Sequence, residues 1–198
     1  MSKSVLTIRN VTYRYDGCDE NSLAGISLAV HPGECVVLTG ASGCGKTTLT
    51  RIANGLIPHF YEGTMEGEAQ VCGHEITDTP PHVLSPLVGS VFQNPRSQFF
   101  NTDTDSEIVF GMENAGLPRQ EMQRRYTNTT QRLDIAHLCG RNVYELSGGQ
   151  KQMVACAGVY AMEPELLVLD EPSSNLDDVA IDHLREFLLL AKSMARRF

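Results

Sequence analysis

Apolar and polar residues alternate through the first part of the chain. Leu6 and Ile8 interleave with Thr7 and Arg9, and Val11, Tyr13 and Tyr15 with Thr12 and Arg14; Ile26, Leu28 and Val30 interleave with Ser27 and Ala29. A period of two marks strands with one wet face, so residues 5 to 30 are expected to form antiparallel strands. Asp16-Gly17 and Pro32-Gly33 supply turns. Two later runs, Val36-Val37-Leu38 and Leu166-Leu167-Val168-Leu169, are continuously apolar. That pattern suits parallel strands covered on both faces, each ending in polar residues as at the carboxyl edge of an open α/β sheet. Between them lie a Pro/Gly-rich span, roughly 55 to 95, and a span of helix formers, roughly 105 to 163, that includes Arg119-Gln-Glu-Met-Gln-Arg-Arg125. Residues 182 to 198 read as one amphipathic helix. The sequence shows no internal repeat and no low-complexity tract.

Composition narrows the class. The 198 residues are 41% hydrophobic and 20% charged, ordinary for a globular protein with a real core. A net charge of −8 argues against a broad nucleic-acid-binding face. No run approaches the ~18 apolar residues of a membrane span, and Met1-Ser-Lys-Ser lacks the apolar core of a signal peptide. Any membrane role is therefore expected to be peripheral. The six cysteines include no C-x-x-C pair, so they read as reduced thiols.

The run Gly40-Ala-Ser-Gly-Cys-Gly-Lys-Thr-Thr48 follows the first apolar strand and leads into a predicted helix near Thr48. It satisfies G-x-x-x-x-G-K-[ST], the phosphate-cradling loop. Gly40, Gly43 and Gly45 permit backbone conformations that aim successive N–H groups at an anion, and the helix start adds partial positive charge. Lys46 is a point charge for the β- and γ-phosphates, and Thr47 offers a hydroxyl to Mg²⁺. Ser42, Cys44 and Thr48 complete the expected nucleotide-binding set. Cys44 lies inside the loop at a helix start, where thiols are often reactive. Its alkylation is expected to block nucleotide binding, with ATP protecting it; equally, it is a small residue that the loop tolerates.

Leu167-Val168-Leu169-Asp170-Glu171 ends an apolar strand with two carboxylates. Asp170 is expected to hold Mg²⁺ and Glu171 to polarise an attacking water; standing alone, the same pattern is two solvated acids. Leu146-Ser147-Gly148-Gly149-Gln150 precedes a helical run, Lys151 to Met162. Ser147 and Gln150 have capping-box spacing, and Gly148 and Gly149 leave the helix start sterically open. The chain thus carries a second anion-accepting helix terminus.

An LSGGQ segment between a phosphate loop and an acidic strand end resembles the ABC ATPase family. The resemblance implies an α/β fold: an ABC-type P-loop nucleotide-binding domain with an antiparallel β-subdomain and an inserted helical subdomain. It implies that two such domains, as a homo- or heterodimer, pair head to tail. Each ATP then lies between one P-loop and the other domain's signature, with Ser147, Gly148, Gly149 and Gln150 serving the partner's nucleotide. Position by position, Tyr15 matches the aromatic that stacks on adenine, with Tyr13 the other candidate. Gln93, in Val-Phe-Gln-Asn-Pro, matches the residue that reaches Mg²⁺ and the attacking water. Asp177, in Ser174-Asn175-Leu176-Asp177, matches the residue near the dimer interface, or is simply a helix cap.

The segments Gln93-Asn-Pro-Arg-Ser-Gln-Phe-Phe100, Val109-Phe-Gly-Met-Glu-Asn114 and Asn54-Gly-Leu-Ile-Pro-His-Phe-Tyr-Glu-Gly63 look like the ATPases of energy-coupling factor (ECF) importers. That likeness implies uptake of a vitamin or metal ion, driven from the cytoplasmic face of the membrane. The implied partners are an integral membrane coupling subunit and a substrate-binding membrane subunit. The alternatives are another bacterial importer, a soluble ABC ATPase outside transport, or a nucleotide-dependent regulatory subunit. Two positions depart from the family. Met153 stands where an arginine is frequent. The switch histidine of the family follows a further strand beyond the catalytic glutamate, whereas this chain ends at Phe198 and His183 lies too near Asp177. The chain is accordingly expected to be one ABC ATPase domain, 1–198, truncated at its C-terminal side and hydrolysing ATP poorly by itself. Residues 1–95 and 163–198 would form the core and 96–162 the helical subdomain.

Overall fold

The computed structural model describes residues 4–94, 97–174 and 176–194. The chain divides into two compact units: Met1–Gly89 with Glu165–Val168 and Met194–Phe198, and Ser90–Pro164 with Leu169–Ser193.

The first unit is built on an antiparallel sheet. Strands β1 (Leu6–Tyr15), β2 (Leu23–Val30), β3 (Gly63–Val71) and β4 (His74–Glu75) lie in the order β2-β1-β3-β4. Leu6 pairs with Val30 on one side and Val71 on the other. The apolar phase of β1 changes between Ile8 and Val11, which are three residues apart. A bulge between Arg9 and Thr12 absorbs the odd residue, with Asn10 at φ 48°. Leu6, Ile8, Val11 and Tyr13 therefore all reach the same core.

Helix α1 (Lys46–Ala53) adds Leu49, Ile52 and Ala53 to that core. Short helix α2 (Pro81–Leu84) adds Leu84, and strands β5 (Val88–Val91) and β6 (Leu166–Leu169) add Val88, Leu166 and Val168. β5 and β6 pair with one another. Leu166 N–H donates to Leu87 O, and Asp170 N–H to Val91 O. The bonds advance together along both strands, as in a parallel pair.

Val36–Leu38 departs from expectation. It is irregular, and Val37 is 77% exposed. A strand needs a neighbouring ladder of donors and acceptors as well as apolar side chains, and among the described residues no strand pairs with this run. Conversely, β3 falls in the span that composition marks only as Pro/Gly-rich. Its own sequence is polar, and its extended form comes from pairing with β1.

The second unit is helical. Helices α3 (Thr104–Asn114), α4 (Arg119–Arg132), α5 (Gly148–Ala161) and α6 (Asp178–Met194) are its main elements. α5 is buried on nearly every side, through Met153, Val154, Ala155, Cys156, Ala157, Tyr160 and Ala161, and packs against α3 and α4. Such all-round burial marks a central helix. α6 turns Ala180, Leu184 and Phe187 inward, with Phe187 edge-on to Tyr160. The predicted C-terminal helix thus begins four residues earlier than its amphipathic pattern suggests, and its predicted last four residues lie outside the described chain. No helix of the described residues is long and apolar enough to cross a membrane.

Candidate functional site: a phosphate loop and a capped signature helix

In the first unit, the loop before α1 folds around its own lysine. Lys46 Nζ donates to Gly40 O and Ala41 O, both at 3.0 Å. The helix start has neither a side-chain cap nor an acid in its first turn, so its partial positive charge is not offset locally. Gly45 is required twice over. Its φ is 94°, and a Cβ there would stand 2.5 Å from Ser22 O. Ser42, Gly43, Cys44 and Thr47 line the exposed side of the loop or helix start, whereas Thr48 is buried. This cradle fits an anion of phosphate type: a cation, a helix terminus without a side-chain cap, and a glycine-rich backbone.

Tyr15 is half-buried, and its hydroxyl is already engaged. It lies 3.2 Å from Thr48 Oγ1 and accepts from Arg51 Nη1 at 3.0 Å. Its ring meets Tyr13 edge-on at 4.9 Å, and Arg51 sits 4.1 Å over the Tyr61 ring. Tyr13 is fully buried, donating to Tyr61 O and Glu62 O, and burial raises its pKa. It has no face free to stack on a base. Arg51 belongs to no motif in the sequence. Its spacing of three from Thr48 on a predicted helix was the available signal.

In the second unit, Gln93 Nε2 donates to Glu171 Oε2 at 3.2 Å. Glu171 closes a tight turn at φ 45°, its carbonyl accepting from Ser174 N–H at 3.0 Å and Ser174 Oγ at 2.9 Å. A left-handed glutamate is a strained backbone position of the kind that clusters at working sites. Asp170 is half-buried at the end of β6. Gln98, quoted above only as part of its segment, brackets the Gln93 loop. Its amide donates to Ser90 O at 2.9 Å and accepts from Phe92 N–H at 3.3 Å. Pro95, Arg96 and Asn175, quoted above for their motifs, lie outside the described residues.

The signature forms as its spacing predicts. Ser147 caps α5 by accepting from Gln150 N–H at 3.3 Å, while the Gln150 side chain accepts from Ser147 N–H at 3.0 Å. Ser147 and Gly148 are exposed. Gly149 has no space for a side chain, since a Cβ would stand 2.6 Å from Ala180 Cβ. Gln150 spends its side-chain oxygen on the cap. Asp177 is itself a cap, its carboxylate accepting from Ala180 N–H at 2.8 Å at the start of α6. His183 is exposed on that helix.

A protein-family model described as "ABC transporter" matches residues 23–174. An ABC transporter ATP-binding protein from Treponema denticola is 54% identical over 184 residues, covering 93% of this chain and 38% of its own length. One from Methanosarcina mazei is 40% identical over 174 residues, covering 88% of this chain and 30% of its own length. Among solved structures, cbiO1 from Clostridium perfringens, described as part of the ABC transporter complex cbiONQ, superposes with a TM-score of 0.85 at 30% identity. The match covers 98% of this chain and 76% of cbiO1. An ATP-binding subunit of another ABC transporter shares the fold, with a TM-score of 0.79 at 23% identity over 96% and 75% of the two chains. The chain therefore spans well under half the length of these curated relatives. By the extent of the family match and the agreement in fold, it belongs to the ABC transporter family as an ATP-binding domain.

Proposed function

We propose that this chain is the ATP-binding and hydrolysing part of an ECF-type importer acting at the cytoplasmic face of a bacterial membrane. The observation that carries the reading is the capped, open start of α5, with Ser147 and Gly148 exposed. A domain with its own phosphate loop uses a second anion-accepting terminus when another domain presents a nucleotide to it. The likeness to cbiO1 supports the importer class; a vitamin or a metal ion is the proposed cargo.

In this reading, Gly45 and Lys46 take the phosphates of ATP, and Tyr15 flanks the base. Thr47, Gln93 and Asp170 carry hard oxygen donors of the kind that suit Mg²⁺. When bound, that ion neutralises charge on the β- and γ-phosphates. Glu171, aimed by Gln93 and by its tight turn, orients or deprotonates the attacking water. Ser147 and Gly149 of a second ABC domain donate to the γ-phosphate, and Asp177 lies toward that domain. Positioning and preorganised donors supply most of the catalysis of phosphoryl transfer. Loss of the γ-phosphate then removes the bridge between the domains, and an integral membrane subunit feels them part.

Affinity purification of the full-length protein from its own membranes tests this. Recovery of an integral membrane coupling subunit together with a small substrate-binding membrane protein is expected. Recovery as a soluble assembly free of membrane subunits would point to an ABC ATPase outside transport.

A further inference from the structure

We propose that Lys151 is a positioning residue for the signature: a buried ammonium that holds the entry loop of α5 and fixes the orientation of Ser147 and Gly148. The inference rests on the reading that the signature closes over a partner's ATP. Lys151 is only 4% exposed, on the first full turn of α5. Its Nζ donates to Tyr144 O at 3.3 Å and also to Leu146 O. Tyr144 lies in the 3₁₀ turn Val143–Glu145 and Leu146 directly follows it, immediately before the cap. The side chain thus runs back beneath the helix start and draws two peptide groups inward, while the next two residues, Ser147 and Gly148, stay exposed.

The placement is unusual on three counts. Lysine is almost never fully buried unless its ammonium is engaged. A cation at the start of a helix opposes the macrodipole, whose positive end is there already. The first turn of α5 also contains no acid. A sequence selected for stability alone would put an apolar or acidic residue at this position. A terminus that has to receive a triphosphate gains from both properties, a loop held in one conformation and positive charge behind it. The far end of the same helix is held by a second cation. Arg125 Nη1 donates to Met162 O at 3.0 Å and Ala161 O at 3.4 Å, while its Nε bonds Glu121. There the cation agrees with the dipole, so only the Lys151 end needs a functional explanation.

The test uses the full-length protein carrying Glu171→Gln, in which closed, ATP-loaded domains should accumulate. The readouts are radiolabelled ATP retained through rapid gel filtration, which reports closure, and equilibrium binding of a fluorescent ATP analogue, which reports the phosphate loop. Adding Lys151→Met should lower retention at least tenfold with analogue binding within twofold of the parent, and Lys151→Arg should restore most of the retention. Retention by Lys151→Met equal to that of the parent would overturn the proposal. If Lys151→Met also loses analogue binding, Lys151→Gln decides by the same two readouts; loss of both there would mean that Lys151 serves folding alone, which equally overturns it. If the Glu171→Gln parent itself retains no ATP while binding the analogue, the closure reading fails, and the Lys151 proposal falls with it.

Discussion

Gln93 and Glu171, far apart in sequence, meet side chain to side chain at 3.2 Å. The amide donates to the carboxylate, so one oxygen of Glu171 is held while the other stays available. Glu171→Gln keeps the shape and removes the proposed base. Positioned general bases contribute about 10²- to 10⁴-fold, so steady-state ATP hydrolysis by the full-length protein should drop by about two orders of magnitude or more, with nucleotide binding retained. Gln93→Ala leaves the base but frees its carboxylate, and a smaller loss, on the order of tenfold, is expected from lost positioning. Turnover at the parent rate in Glu171→Gln would remove its assigned role.

Thiol accessibility separates the cysteines. Cys44 is exposed in the phosphate loop, whereas Cys156 is fully buried in α5, where desolvation pushes its pKa up to about 12. Iodoacetamide at neutral pH should modify Cys44 and spare Cys156 until the chain is unfolded. Mass spectrometry should show Mg-ATP slowing the modification of Cys44 several-fold, and equal labelling with and without ATP would place the nucleotide elsewhere.

The contact between Gly149 and α6 predicts a paired rescue. Gly149→Ala puts a methyl where Ala180 Cβ already stands, so α6 must move; overpacking of this kind costs about 1–3 kcal/mol. Removing the opposing methyl with Ala180→Gly should recover part of that loss, less about 1 kcal/mol for a glycine inside a helix. Urea denaturation of the two single variants and the double variant measures the coupling.

Glu121 is one contributor to acid sensitivity. Hydrogen bonds from Arg124, and then from Arg125, hold Glu121 down at about 2, against an ordinary value of 4.5. The folded value lies below the unfolded one, so this pairing stabilises the protein at pH above about 4.5 and its contribution fades as pH falls toward about 2. Glu121→Gln should lower the melting temperature slightly at neutral pH, as expected of an exposed network. The difference from the parent should shrink on acidification, and a difference independent of pH would assign the effect to packing instead.

Much of this was legible from residue order alone. Alternation in residues 5 to 30 marked β1 and β2, and the S-x-x-Q spacing at Ser147 anticipated the capping box, because both are local rules that need no knowledge of the rest of the chain. What escaped was set by distant partners. β3 is a strand because β1 lies beside it. Val36–Leu38 has the composition of a strand and no ladder among the described residues. Arg51 and Lys151 carry no motif, and Gln98 is only one letter of a quoted segment; each is singled out by what its side chain reaches.

The left-handed turn at Glu171 has a further consequence. Two hydrogen bonds from a single residue, Ser174, clamp the peptide carbonyl of Glu171, so its carboxylate is steered by its own main chain and not only by its neighbour's amide. Mobility removed there is mobility that substrate binding need not remove later. It follows that Ser174→Ala, a change of one hydroxyl that leaves the Glu171 side chain in place, should blur the aim of the glutamate while leaving its chemistry intact.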